Sequence, residues 1–290
     1  MRLYLIICVC TLFWAILGCL IGAICRHPLA GLLWGLLFGI GYVLFGSWAA
    51  QKFPLDIWGA SLLENQFAPN LYEMLEELSG KADIPLPIVY TVPVARPNAF
   101  VVAGRDGYAA VVVTNGLTRL LHKDEVQAVA ALMIARLATG KMPLWTTAAT
   151  LAGLPLHLGL VWRRRRGLEW AGSVVLVLFA LPAVALLRLV WSERVVTAAD
   201  DHAAHLAANP MILQAALLKM EAEWVSDAGS GAAESLAEVN PATALLFAVP
   251  PLAPSSAEAP LWSRQQSIFP SRLPDVAARA ARFLSEKFSY

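Results

Sequence analysis

His202 and His205 stand three residues apart beside Asp200 and Asp201, in a stretch whose composition suits a helix. Imidazole and carboxylate groups at that spacing can share a transition metal, with His122 as a third donor. A solvated helix face carries the same residues, so His202, His205 and Asp201 stand as the alternative metal set and not the main expectation. His27 and His157 lie in or beside apolar runs and read as interfacial or intramembrane polar residues. Cys8, Cys10, Cys19 and Cys25 all fall in the first apolar segment, where a thiol behaves as a small hydrophobe. They supply neither a disulfide framework nor a CxxC zinc knuckle. The chain has no His-Glu dipeptide, no Gly-x-Ser-x-Gly elbow, no Gly-rich phosphate loop and no DxDxDG calcium loop. Arg163 to Arg166 form a dense cationic run suited to anionic lipid headgroups.

These residues are carried by a chain of 290 residues, 58% hydrophobic and only 15% charged, with a mean hydropathy of +0.60. That balance is too apolar for a soluble protein and calls for a lipid bilayer as solvent. A net charge of +1, without a basic stripe interleaved with aromatics, excludes nucleic acid as an expected partner. Leu3 to Cys25 contains no charge and is long enough, at ~1.5 Å per helical residue, to cross a bilayer. Arg26, His27 and Pro28 make a turn into a second span, Leu29 to Ala50. Its glycines at 31, 35, 39, 41 and 46 predict close packing of a helical hairpin. Ile16 to Cys19 loosely resembles a lipoprotein cleavage box, but the apolar run continues to Ile24, so a retained hairpin is expected. Pro143 to Trp162 and Trp170 to Trp191 form a second apolar pair.

Between and after the hairpins the pattern is that of a water-soluble domain. Apolar positions from Asp56 to Gly80 predict an amphipathic helix interrupted near Pro69. Short β-type runs follow at Ile88 to Val92, Ala99 to Ala103 and Ala109 to Thr114. Leu117 to His122 reads as a short helix, and Asp124 as the cap of a helix over Glu125 to Lys141. That helix, EVQAVAALMIARLATGK, is apolar nearly all round, as a buried central helix should be. Further helices are expected over 192–208, 211–225 and 274–288, with a proline-rich loop at 250–260.

Several blocks in this order carry a family resemblance. Asn98-Ala99-Phe100, followed by Gly104, is similar to the NAF-type edge strand of HtpX-like membrane zinc metallopeptidases, relatives of the CAAX prenyl proteases. Val112-Val113-Thr114-Asn115-Gly116-Leu117 resembles the V-x-T-x-G-L of that family, and Asp124-Glu125-Val126 the D-E-[LV] that opens its motif helix. Ser192 to Asp200, SERVVTAAD, looks like the S-R-x-x-E-x-x-A-D block, and Phe269-Pro270 echoes a final His-Pro element. The resemblance implies an α+β membrane protein: a mostly helical gluzincin-like domain with a small β-sheet, plus two apolar helical hairpins. It divides the chain into a transmembrane hairpin (1–50), half a peptidase-like domain (51–142), a second apolar hairpin (143–191) and the other half (192–290).

The same resemblance places an HExxH motif in the helix after Glu125, and there this chain departs from it. The two histidine positions fall on Leu132 and Arg136, the general base on Met133, the later glutamate on Val196 and the late histidine on Phe269. Zinc takes imidazole, carboxylate or thiolate donors; two aliphatic chains, a thioether and a guanidinium cannot hold and arm it. The expectation is a degenerate member without catalytic residues or cofactor, a pseudopeptidase acting by peptide or protein binding or as a subunit or regulator of a membrane complex. Its peptide-binding edge would be Asn98, Ala99, Phe100 and Val101, by β-augmentation. Arg136 would form a buried ion pair with Asp200, standing roughly where the metal's charge stood. The alternative is an active metalloendopeptidase of membrane protein quality control that holds zinc through His202, His205 and Asp201. The resemblance implies the bacterial inner membrane with a cytoplasmic domain, whereas Arg26 and the tetra-arginine, by charge bias, admit the inverted topology.

Overall fold

The computed structural model describes residues 2–190, 193–207, 209–226 and 240–249. It opens with two apolar helices, α1 (Arg2–Ile24) and α2 (Pro28–Ala49), turning at Arg26 and His27. A short helix α3 (Phe53–Ile57), a two-residue strand β1 (Ser61–Leu62) and helix α4 (Pro69–Lys81) follow. The expected interrupted helix over Asp56 to Gly80 is therefore four separate elements, a single 3-10 turn at Asn65–Phe67 being the fourth, because β1 leaves the helical path to pair with the sheet. Pro69 begins α4 and does not break a helix; in the first turn its missing N–H has no partner to lose.

The sheet continues with β2 (Ile88–Val92), β3 (Ala99–Ala103) and β4 (Ala109–Thr114), the strands expected from their β-branched runs. Spatial order is β1-β2-β4-β3, with β2 parallel to β4 and the other two pairs antiparallel. Phe100 lies opposite Val112 and Val101 opposite Val111, which leaves β3 at one margin. Helices α5 (Asn115–Leu120) and α6 (Lys123–Ala138) lead away from β4. His122, not Asp124, is the N-cap of α6: the Glu125 carboxylate, three residues on, accepts from the His122 N–H at 2.8 Å.

Two long apolar helices, α7 (Met142–Arg163) and α8 (Glu169–Val190), come next, then α9 (Glu193–Leu206), α10 (Pro210–Ser226) and a single turn α11 (Pro241–Ala244). The expected helix at 274–288, the loop at 250–260 and Phe269 lie outside the described residues. Helices α1, α2, α7 and α8 are each long and apolar enough to cross a membrane, and the protein is an integral membrane protein. The α1–α2 crossing is backbone against backbone: a Cβ on Gly18 would sit 2.4 Å from the Gly31 carbonyl oxygen, and one on Gly31 2.2 Å from that of Gly18. Only glycine permits this approach.

Some 67% of the most apolar stretch of α7 is buried, against 22–28% for the other three spans. Its first half is protein interior, packed against β3, and its second half joins the membrane bundle. Pro155 inside α7 cannot donate to the Leu151 carbonyl one turn earlier, and the Tyr42 hydroxyl of α2 donates there instead. Phe13 meets Phe179 at 5.5 Å, while Val9 and Cys10 share a small cavity with Pro182 and Leu186. Helix α1 thus runs antiparallel to α8, and both hairpin turns, Arg26–His27 and Arg163–Arg166, lie at the same end of the bundle.

Candidate functional site

Helices α6 and α9 pack side by side, α6 also against β3; α6 carries Leu132, Met133 and Arg136, and α9 carries Val196 and Asp200. Leu132 and Met133 are completely buried, Val196 is 2% exposed, Arg136 4% and Asp200 1%. Burying three apolar side chains there contributes ~1.5–3 kcal/mol each and leaves no imidazole or carboxylate donor at those places. Leucine, methionine, arginine and valine at the places where the family resemblance implies zinc ligands and a base do not fit the metal.

Arg136 is the polar exception. It occupies the last turn of α6, where a cation is favoured by the helix dipole. Its Nη1 donates to the carbonyl oxygens of Leu246 (3.0 Å) and Phe247 (2.9 Å). A guanidinium is charged at any physiological pH, so these charge-assisted bonds are part of what makes its burial tolerable.

The acceptors belong to a segment the sequence analysis did not single out. Residues 240–249 cross the domain as a strap whose last three residues lie antiparallel along the outer margin of β3, with Phe247 opposite Phe100. The Ala248 N–H donates to the Ala99 carbonyl at 2.7 Å. Asn98, fully buried, donates through Nδ2 to the Val249 carbonyl (2.6 Å) and accepts the Val249 N–H on Oδ1 (3.3 Å). Farther along the same margin, the Ala103 N–H donates to the Thr146 hydroxyl of α7 at 3.2 Å. Of the expected peptide edge at Asn98 to Val101, the stretch from Asn98 to Phe100 is thus already paired by the chain itself.

The strap is anchored at its other end too. The Asn240 amide donates to the Gly153 carbonyl of α7 (2.7 Å), while its Oδ1 accepts the Ala242 N–H. Trp58 Nε1 donates to the Thr243 hydroxyl at 3.3 Å, and the Phe247 ring packs on Trp58 (4.6 Å) and Phe100 (4.4 Å). A cue was available in the sequence: Leu245 to Val249 is a five-residue apolar run between Pro241 and Pro250, as a buried strand would be.

The alternative metal residues do not converge. His202, His205 and His122 are exposed, and Asp201 is half-buried. Among the described residues no three His, Cys, Asp or Glu side chains gather as a metal site. Partial burial pushes the Glu125 carboxyl up, but bonds from the His122 N–H and the Lys219 ammonium (3.0 Å) outweigh it and hold the pKa below the ordinary carboxylate value. Glu125 is therefore a helix-capping carboxylate.

Residues 65–234, which include the paired helices, match the model of peptidase family M48. The chain belongs to peptidase family M48. Among its M48 relatives, a "Protease HtpX homolog" of Desulfatibacillum aliphaticivorans is 30% identical, over 85% of this chain and 79% of its own length. Another of that name, from Gemmatimonas aurantiaca, is 31% identical over 87% of this chain and 89% of its own. A third, from Aquifex aeolicus, is 31% identical over 77% and 76%. No solved structure matches. The mostly helical fold, its small mixed sheet and its apolar helices agree with an HtpX-like membrane member of M48, as the block order implied.

Proposed function

We propose that this M48 member does not hydrolyse peptides and works by holding a polypeptide, as a binding subunit or regulator in the membrane. One observation carries the reading: at the α6–α9 contact, the places of two ligands, a general base and a third ligand hold Leu132, Arg136, Met133 and Val196, all buried. A methionine in the base position cannot take a proton from water, and Arg136 repels a divalent cation. What survives is the polypeptide-recognising half of such a site, the β3 margin with Asn98 and a positive charge beneath it. Main-chain hydrogen bonding along a strand margin is a general way of taking up an extended segment. Arg136 and Asp200 are both buried on the two packed helices, which supports reading them as an ion pair that fixes this charge. The exposed Arg164, Arg165 and Arg166 face anionic headgroups at the far end of the bundle.

Metal analysis of the full chain purified in detergent, joined to a casein-cleavage assay with and without a zinc chelator, tests the reading. Substoichiometric zinc and no chelator-sensitive cleavage are expected; one zinc per chain with such cleavage overturns it. Orientation is decided separately. With the native cysteines replaced, cysteines introduced at Arg105 and Arg166 should react with an impermeant label from opposite faces of sealed vesicles. Labelling from one face would mean that α7 and α8 dip into the bilayer without crossing it.

A further inference from the structure

The strap's contacts are of one kind. From Leu246 to Val249, Arg136 takes the carbonyls of 246 and 247, Ala99 takes the N–H of 248, and Asn98 takes both polar groups of 249. All five are backbone groups, received by residues of the edge-strand block and the motif helix. Pairing of buried main-chain groups is general in folded chains; what sets this segment apart is that its pairing falls on the Asn98–Phe100 margin, where an extended segment can be taken up, and is closed by a buried guanidinium. The side chains add one selective feature, the Phe247 ring between Trp58 and Phe100.

We propose that Leu246–Val249 is a resident peptide, filling a groove whose exchangeable ligand is an extended apolar segment with an aromatic side chain at the position of Phe247. The proposal rests on the reading that this chain works by holding polypeptide. Being covalently tethered, the strap competes at an effective concentration of ~1 mM, so a partner segment must displace it and weak apolar peptides are refused. Arg136 gives the groove a carbonyl-binding cation that needs no metal. The occupant is a peptide and not an acyl chain, because the five contacts described above pair with amide groups.

The test uses the full chain in detergent and a fluorescein-labelled peptide copying residues 243–249. Phe247→Ala should loosen the strap, and peptide binding measured by polarisation should tighten by about tenfold or more over the native chain. The same peptide with alanine at its phenylalanine should lose about tenfold on that variant. A folded Phe247→Ala chain that gains no affinity overturns the proposal and makes the strap a fixed strand. Amide exchange of the native chain decides the matter should the variant not fold. The Ala248 and Val249 amides should exchange faster than those of Val111 to Val113, and faster again when excess peptide holds the strap open. Exchange of both groups together, unmoved by peptide, overturns the proposal. Neither measurement depends on zinc content or cleavage, so a failure here is distinguishable from a failure of the inert-protein reading.

Discussion

Replacing Arg136 by methionine, an unbranched apolar side chain, tests whether the buried guanidinium holds the domain together. It donates two charge-assisted bonds, at 3.0 and 2.9 Å, to carbonyls of the strap. Bonds of this kind are worth ~1.5–3 kcal/mol each. Burial of the methionine returns part of that, so a net loss of about 3 kcal/mol is expected, and more if the proposed pair with Asp200 is lost with it. For a domain of this size that is a fall in Tm of about 6–12 °C. Thermal unfolding in detergent, followed by the emission of the ten tryptophans, reads it directly. Asp200→Asn supplies the second leg of the cycle: it should lower the stability of the native chain yet raise that of Arg136→Met by about 1–2 kcal/mol. An Arg136→Met chain as stable as the native one, or more so, refutes the structural role of the guanidinium. Strictly additive effects of the two substitutions refute the ion pair.

Three further outcomes follow from the packing. Gly18→Leu should disrupt the α1–α2 hairpin and lower resistance to SDS unfolding by about 3 kcal/mol or more, whereas Gly41→Ala, with nothing within 4 Å of its added Cβ, should be neutral or mildly stabilising. Tyr42→Phe should cost about 1–2 kcal/mol by orphaning the Leu151 carbonyl beside Pro155, read by the same titration. Glu125 has a folded pKa below its unfolded value, so its contribution is present above the unfolded pKa and is lost as pH falls through the folded one. Glutamine keeps the capping acceptor but loses the charge that meets the helix dipole and Lys219, so native and Glu125→Gln chains should differ by about 1 kcal/mol near neutrality and converge in acid; an undiminished gap at low pH would refute this.

The membrane helices were legible because hydropathy over twenty residues is a local signal, and the strands because β-branched runs between prolines have few other uses. The block order around Asn98, Thr114 and Asp124 was legible as family resemblance, and with it the chemical emptiness of Leu132, Met133 and Val196. Burial of those three could be expected from their apolarity. The acceptors of Arg136 could not: they are backbone atoms more than a hundred residues away, and carbonyls have no identity in a sequence. The two-residue β1 is likewise a product of tertiary pairing, too short for any periodicity. His122 as the cap of α6 was concealed because Glu125, and not the capping residue, supplies the acceptor.

Helix α7 belongs to two solvents at once. Thr146 and Gly153 hold the margin of the sheet and the root of the strap, while ten residues farther on the same rod ends among arginines at the far face of the bundle. Pro155 stands between those anchors and the membrane half, so the proline is where the two halves can bend against each other. When bilayer thickness changes and the spans lean to match it, the stiffness of α7 across Pro155 sets how much of that lean reaches Gly153 and, through Asn240, the strap.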